Sequence, residues 1–297
     1  MTFEDLAADF IKDYEIKGRR SLRWAKGRVV NLRRYFGTDR ALDITAPRLR
    51  TYAQSRLEDG ATPATVNRDL AALKRMFSLA VQAGRLSVRP HIEMLAEAQP
   101  RQGFMEFAEY RAIREHLPPD YQDVLDFGYH SGWRRGEILR LEWRDVDRGA
   151  GIIRLRPELS KNSDGRVLAL SAPLRDLIER RWDARALGCP FVFHRGGQPI
   201  GDWRKTWKRA CGTAGLPSKL FHDLRRTVVR NLVRAGVPER VAMSVTGHKT
   251  RSVFDRYNIV SEADLEQAAT RLAEYVAQQP ATLTVIPLPR VAASGRK

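Results

Sequence analysis

Residues Ser131–Asp147 read S-G-W-R-R-G-E-I-L-R-L-E-W-R-D-V-D. Arg134 and Glu137 stand three apart, on one face of the helix this stretch predicts, and Ile138, Leu141 and Val146 supply an apolar side. Taken alone the pair is an ordinary surface salt bridge, of the kind that contributes little. The pattern then changes. Ile152, Ile153 and Leu155 form one short β-type run and Val167, Leu168 and Leu170 another, with Asn162-Ser163-Asp164-Gly165 between them as a hairpin turn signal. Helical periodicity surrounds this pair, near 107–116 and 121–129 before it and at 174–182, 203–214, 222–235, 238–244 and 262–276 after it. The expected fold is mainly α, with a small antiparallel β-sheet in the C-terminal domain.

The N-terminal third reads as helices. Val66, Leu70, Leu73, Phe77 and Val81 recur at spacings of three and four, after Thr62-Pro63 as a start signal and before Gly84 as a stop. Around Glu97–Gly103 the periodicity lapses, and Pro100 and Gly103 mark a boundary. The domains expected are a helical unit at 1–98, a linker at 99–104, a second domain at 105–279 ending in a helix at 262–276, and a proline-bearing tail at 280–297.

With 52 Lys and Arg against 35 Asp and Glu, the chain carries a formal charge of +17, which suits a polyanion or acidic substrates. Lys17 to Arg34 holds Arg19, Arg20, Arg23, Lys26 and Arg28 with no acidic residue, and Arg68, Lys74 and Arg75 lie off the apolar stripe of the next helical pattern. Unpaired like charges repel on a helix, and a phosphate backbone would neutralise them, so these eight are the candidate contacts to such a backbone, although charge alone does not separate DNA from RNA or anionic lipid. No apolar run approaches the roughly 18 residues of a membrane span, and the N-terminus M-T-F-E-D-L has no signal-peptide layout, so no membrane partner is expected. Cys189 and Cys211 have no metal-ligand spacing and read as reduced structural thiols. The six histidines show no H-E-x-x-H, and there is no G-x-x-x-x-G-K-[ST], so neither a metal nor a nucleotide cofactor is expected.

Three further polar stretches follow Ser131–Asp147 in order: S-K-N-S-D-G-R (Ser160–Arg166), H-D-L-R-R-T (His222–Thr227) and T-G-H-K-T-R-S-V-F-D-R-Y (Thr246–Tyr257). Singly, a hairpin lysine is a solvated edge charge, His-x-x-Arg is a frequent accident, and a tyrosine beside an arginine is a packed ring with a wet hydroxyl. As an ordered set, Arg134, Lys161, His222, Arg225, His248 and Tyr257 resemble the tyrosine recombinase, or phage integrase, family. Its pattern is T-G-x-R-x-x-E, a lysine in a β-hairpin, H-x-L-R, and G-H followed about nine residues later by a tyrosine. The resemblance covers most of 103–276, and the basic helical N-terminal part looks like the family's core-binding domain. Ser131 replaces the usual threonine, and Arg226 stands where a histidine is common.

The resemblance implies site-specific DNA strand cleavage through a 3′-phosphotyrosyl intermediate and a Holliday junction, in integration or excision of a mobile element or in dimer resolution. Tyr257 would be the nucleophile, Arg134 and Arg225 would hold the nonbridging phosphate oxygens, and Glu137 would hold Arg134. Lys161 would protonate the leaving 5′ oxygen, His222 would accept the tyrosine proton or bond the phosphate, and His248 would donate to the phosphate. Partners implied are double-stranded DNA at a specific site and three further copies of the chain in a homotetramer on DNA, the free protein being a monomer or weak oligomer. Accessory directionality or DNA-bending proteins and a cytoplasmic, bacterial or phage-encoded setting go with it. The stripe Leu265, Ala269, Leu272 and Val276 either packs on its own domain or docks on a neighbour. A type IB topoisomerase and a catalytically silent DNA-binding relative are the alternatives.

Overall fold

The computed structural model describes residues 1–99, 101, 103–160, 164–255 and 262–279. It divides into two compact units, Met1–Arg101 and Gln102–Lys297. Lys161, the Asn162-Ser163 half of the turn signal, Tyr257, Ser261 and the 280–297 tail lie outside the described residues.

Among its described residues the first unit contains four α-helices: α1 (Phe3–Ile16), α2 (Leu22–Phe36), α3 (Ala46–Glu58) and α4 (Pro63–Gln82). α1 and α4 begin where a threonine side chain satisfies one of the first N–H groups. Thr2 Oγ1 accepts from Asp5 N–H while Asp5 accepts from Thr2 N–H, and Thr62 Oγ1 accepts from Thr65 N–H ahead of Pro63. Leu6, Phe10, Val29, Leu32, Phe36, Leu70, Leu73 and Phe77 bury their side chains in one core. Asp69, fully buried on α4, is a charged exception. Arg28 donates to it at 3.0 Å, Tyr52 Oη at 3.0 Å and Asn31 at 3.5 Å, and Arg56 lies 3.8 Å away. A buried carboxylate persists only with such partners.

The second unit runs α5 (Phe107–Glu115), α6 (Pro119–Ser131), α7 (Arg135–Ile138), β1 (Val146–Asp147), β2 (Ile152–Leu155), β3 (Arg166–Ala169), α8 (Ala172–Asp183), β4 (His194–Arg195), β5 (Gln198–Pro199), α9 (Arg204–Thr213), α10 (Asp223–Arg234), α11 (Glu239–Thr246), α12 (Arg251–Asp255) and α13 (Glu262–Ala277). The antiparallel sheet has the order β1-β2-β3, with Val146 opposite Ile153 and Ile153 opposite Leu168. Strand alternation sends Ile153, Leu155 and Leu168 into the core with Phe127, Trp133, Ile138, Leu141 and Phe193, while Val167 faces out. The helix expected through Ser131–Asp147 is broken. α6 ends at Ser131, α7 is a single turn, and Val146 belongs to β1 instead of to a helix face, because a short 3-10 turn at Trp143–Asp145 redirects the chain. The α13 stripe is not buried against its own unit: Leu265, Leu272 and Val276 are 62%, 63% and 60% exposed.

Candidate active site

Arg134 owes its position to a helix end. α6 stops because Gly132 adopts the left-handed conformation, φ 64°, with its N–H on Gly128 O at 3.0 Å. A side chain there would be strained, and it would also meet Val228 Cβ at 3.0 Å on α10. Ser131 Oγ accepts from Trp133 N–H, and the chain passes in extended conformation through Arg134, which begins α7. Arg134 and Glu137 do pair, but as a clamp across a helix start: the Arg134 N–H donates to Glu137 Oε2 at 2.9 Å and Nη1 donates to Oε1 at 2.8 Å. Glu137 is 2% exposed and has a second cationic partner, Arg166, whose Nη2 donates to Oε2 at 2.5 Å. Burial by itself would raise the Glu137 carboxyl, yet the hydrogen bonds from Arg166 and Arg134 hold it below its ordinary value.

Arg166 is one residue that the sequence motifs did not single out. Its side chain is 7% exposed and its guanidinium sits 4.8 Å from the centroid of the Trp133 ring. The signal was its phase, since Arg166 shares a strand face with Leu168 and Leu170, both inward, and a charge in that phase demands a buried partner.

His222 and Arg225 lie at the start of α10, where the helix begins directly after the His222 position. The Arg225 side chain is among the largest that are fully buried, and its Nη1 donates to Gly132 O at 3.0 Å. Its Nη2 lies 3.2 Å from His248 Nε2. His248 arrives through another left-handed glycine. Gly247, φ 69°, ends α11 in a Schellman motif, with His248 N–H on Met243 O at 2.9 Å and Gly247 N–H on Ser244 O at 3.3 Å. A Cβ on Gly247 would lie 2.7 Å from Arg166 Nη1, so the turn before His248 and the buried arginine of β3 are packed against each other. Lys249 and Asp164 add an ion pair between the segment after His248 and the described end of the hairpin.

The electrostatics follow from burial and from four nearby guanidinium groups. Burial, then Arg225, Arg134 and Arg166, push the His248 imidazole down to about 3. Burial, then Arg225, Arg226 and Arg134, push His222 down to about 4. Both rings are neutral at neutral pH, and the positive field around them is suited to an anion. His222 also borders a cavity of about 280 Å³ walled by Trp133, Trp203, Trp207 and Phe221. Arg134, Glu137, His222, Arg225 and His248 therefore come together, whereas Lys161 and Tyr257 lie outside the described residues.

The candidate DNA contacts of the first unit separate into two groups. Arg28 is committed to Asp69, Arg75 faces Asp13 at 3.4 Å, and Lys26 faces Glu15 at 3.3 Å. Arg19 rests over the Tyr14 ring, Arg68 donates to Ala64 O of its own helix, Arg20 and Arg23 are exposed, and Lys74 is half-buried.

Residues 98–263 match the family model described as Phage integrase family, more than half of the chain. The chain belongs to the phage integrase family. It is 24% identical over 225 residues to the integrase of Salmonella phage P22, covering 71% of this chain and 58% of that one. It is 25% identical to the tyrosine recombinase XerC of Corynebacterium efficiens, over 76% of this chain and 77% of the relative. To the prophage integrase IntR of Escherichia coli K12 it is 30% identical, over 71% and 61%. The chain thus spans under two thirds of the phage P22 and IntR proteins. The fold is that of the lambda integrase dimer bound to a COC′ core site, with a TM-score of 0.73 and 18% identity, covering 87% of this chain and 77% of that one. It is likewise that of the Tn1549 transposon integrase in complex with circular intermediate DNA, with a TM-score of 0.74 and 17% identity, over 91% and 99%.

Proposed function

We propose that the protein is a site-specific DNA recombinase that cleaves and rejoins strands through a 3′-phosphotyrosyl intermediate. The observation that carries this reading is the buried Arg225 held between Gly132 O and His248, inside the electrostatic reach of Arg134 and His222. A phosphodiester repels nucleophiles, and charge grows on its nonbridging oxygens as a fifth bond forms to phosphorus. Fixed guanidinium groups offer paired donors to those oxygens without reorganising, which is the kind of term that dominates catalysis.

In this reading the Tyr257 hydroxyl attacks phosphorus and the P–O5′ bond breaks. The phenol, with an ordinary pKa of about 10, needs its proton taken as it reacts. His222 takes that proton, and the phosphate's negative charge offsets the arginines that depress the ring. Lys161 delivers a proton to the departing 5′ oxygen, a transfer worth roughly 10² to 10⁴ in rate. One phosphoester replaces another, so the step reverses readily, and a different 5′ end rejoins to give a Holliday junction. The lambda integrase, of the same fold, has been seen as a tetramer bound to a Holliday junction. The exposed α13 stripe supports the same assembly here, with Leu265, Leu272 and Val276 docking on a neighbouring copy.

The test uses supercoiled plasmids with and without paired copies of the DNA that flanks the coding sequence. Site-dependent deletion or inversion products are expected. Relaxation of both plasmids alike, with no exchanged product, would replace the recombinase reading with a topoisomerase.

A further inference from the structure

The hydroxyl of Thr246 has one proton and three neighbours. Its Oγ1 lies 2.7 Å from Ala242 O and 3.5 Å from Met243 O, which only accept, and 2.8 Å from His248 Nδ1. The Thr246 proton goes to a carbonyl, so toward the imidazole Oγ1 is an acceptor and Nδ1 carries the hydrogen. The opposite ring nitrogen gives the same answer independently. Nε2 faces Arg225 Nη2 at 3.2 Å, and a guanidinium has only donors, so Nε2 holds a lone pair.

From these two contacts we propose that Thr246 is a positioning residue of the cleavage site: it locks His248 in the neutral Nδ1–H tautomer, so that His248 acts by holding the Arg225 guanidinium. This rests on the recombinase reading for its catalytic consequence. It reverses the donor role toward phosphate expected from the sequence, because Nε2 has no proton to donate. Arg225 is then gripped at both terminal nitrogens, Nη1 by Gly132 O at the end of α6 and Nη2 by an imidazole rooted at the end of α11. Charging the ring instead would place a cation against Arg225 and His222 from α10, Arg134 from the start of α7 and Arg166 from β3. Lys249, next in the chain, has Asp164 as its counter-ion. The device is local. Thr246 is the last residue of α11, and the Schellman turn at Gly247 brings the chain back so that residue 248 faces the hydroxyl of residue 246.

The full-length protein, labelled with ¹⁵N at histidine, decides the matter by long-range ¹H–¹⁵N correlation, the His248 ring being assigned by its loss in His248→Asn. The wild type is expected to show a protonated Nδ1 and a bare Nε2 at neutral pH. Thr246→Val removes the acceptor, so its ring is expected to shift toward the Nε2–H form. Its single-turnover cleavage at saturating protein is expected to fall about 10²-fold, the scale of a roughly 1 Å misplacement, with DNA binding kept. Thr246→Ser keeps the hydroxyl and is expected to keep both the tautomer and the rate. An Nε2–H or doubly protonated ring in the wild type overturns the proposal, and so does a Thr246→Val protein with an unchanged tautomer or an unslowed cleavage step. Should Thr246→Val fail to fold, the wild-type spectrum still decides the tautomer. Absence of any covalent adduct with wild-type protein would count against the recombinase reading and leave the tautomer result standing.

Discussion

Glu137 is shared by two cations, Arg134 at a helix start and Arg166 on a strand, and only the second is almost wholly buried. Glu137→Ala therefore strands Arg166 without its counter-ion, and removing one partner of such a pair costs about 3–5 kcal/mol. Urea unfolding followed by tryptophan fluorescence should register that loss; a change of under about 1 kcal/mol, the size of an exposed pair, would mean that Arg166 is not buried as described. The histidines give a pH dependence. His248 is held at about 3 against an ordinary 6.5, so between those values the unfolded chain binds a proton that the folded chain does not. Its contribution to stability is full above about pH 6.5 and is lost as pH falls from there toward 3. Melting temperature should decline less steeply over that range in His248→Asn than in the wild type, and equal slopes would refute the depressed value. At this scale the ordered motifs, through their resemblance to the family, singled out Arg134, Glu137, His222, Arg225 and His248, and the fold brings these five side chains together. The motifs did not single out Thr246 or Arg166: Arg166 showed only as a charge in an inward strand phase, and the contact of Thr246 with His248 is made by the turn at Gly247.

Helix ends, more than helix faces, place the site. Gly132 and Gly247 end α6 and α11 in left-handed turns; Arg134 follows the first after Trp133, and His248 follows the second directly. Gly132→Ala combines a strained φ with a 3.0 Å approach to Val228, whereas Gly236→Ala carries a similar φ of 75° with nothing within 4 Å. Both should destabilise by about 1–2 kcal/mol for the left-handed backbone. Only Gly132→Ala should lose more than that and also slow cleavage, since Gly132 O holds Arg225. Equal losses in chemical denaturation, with equal cleavage rates, would contradict the role of that turn. Long elements were legible, because three or more turns repeat an apolar period often enough to register, as in α4 and α10. The single turn of α7 and the two-residue strands β1, β4 and β5 were not, since no period fits inside them.

Over the whole molecule, a charge of +17 pointed to a polyanion before any element was assigned. What composition could not give is how the cations divide. Arg28, Arg75 and Lys26 face carboxylates within their own unit, and Arg28 meets Asp69 across 41 positions of sequence, a pairing that only the packed helices create. The same holds for α13, whose stripe was visible in the sequence and whose exposure was not. The central claim concerns a residue outside the described part of the chain, Tyr257, assigned by its place nine positions after His248. A nicked suicide substrate, which traps cleavage by losing the 5′ end, tests it directly. The wild type should form a covalent protein–DNA adduct through the 3′ phosphate that peptide mapping places on Tyr257, while Tyr257→Phe binds the same DNA and forms none. An adduct at wild-type level in Tyr257→Phe, or one mapped to another residue, would contradict the account.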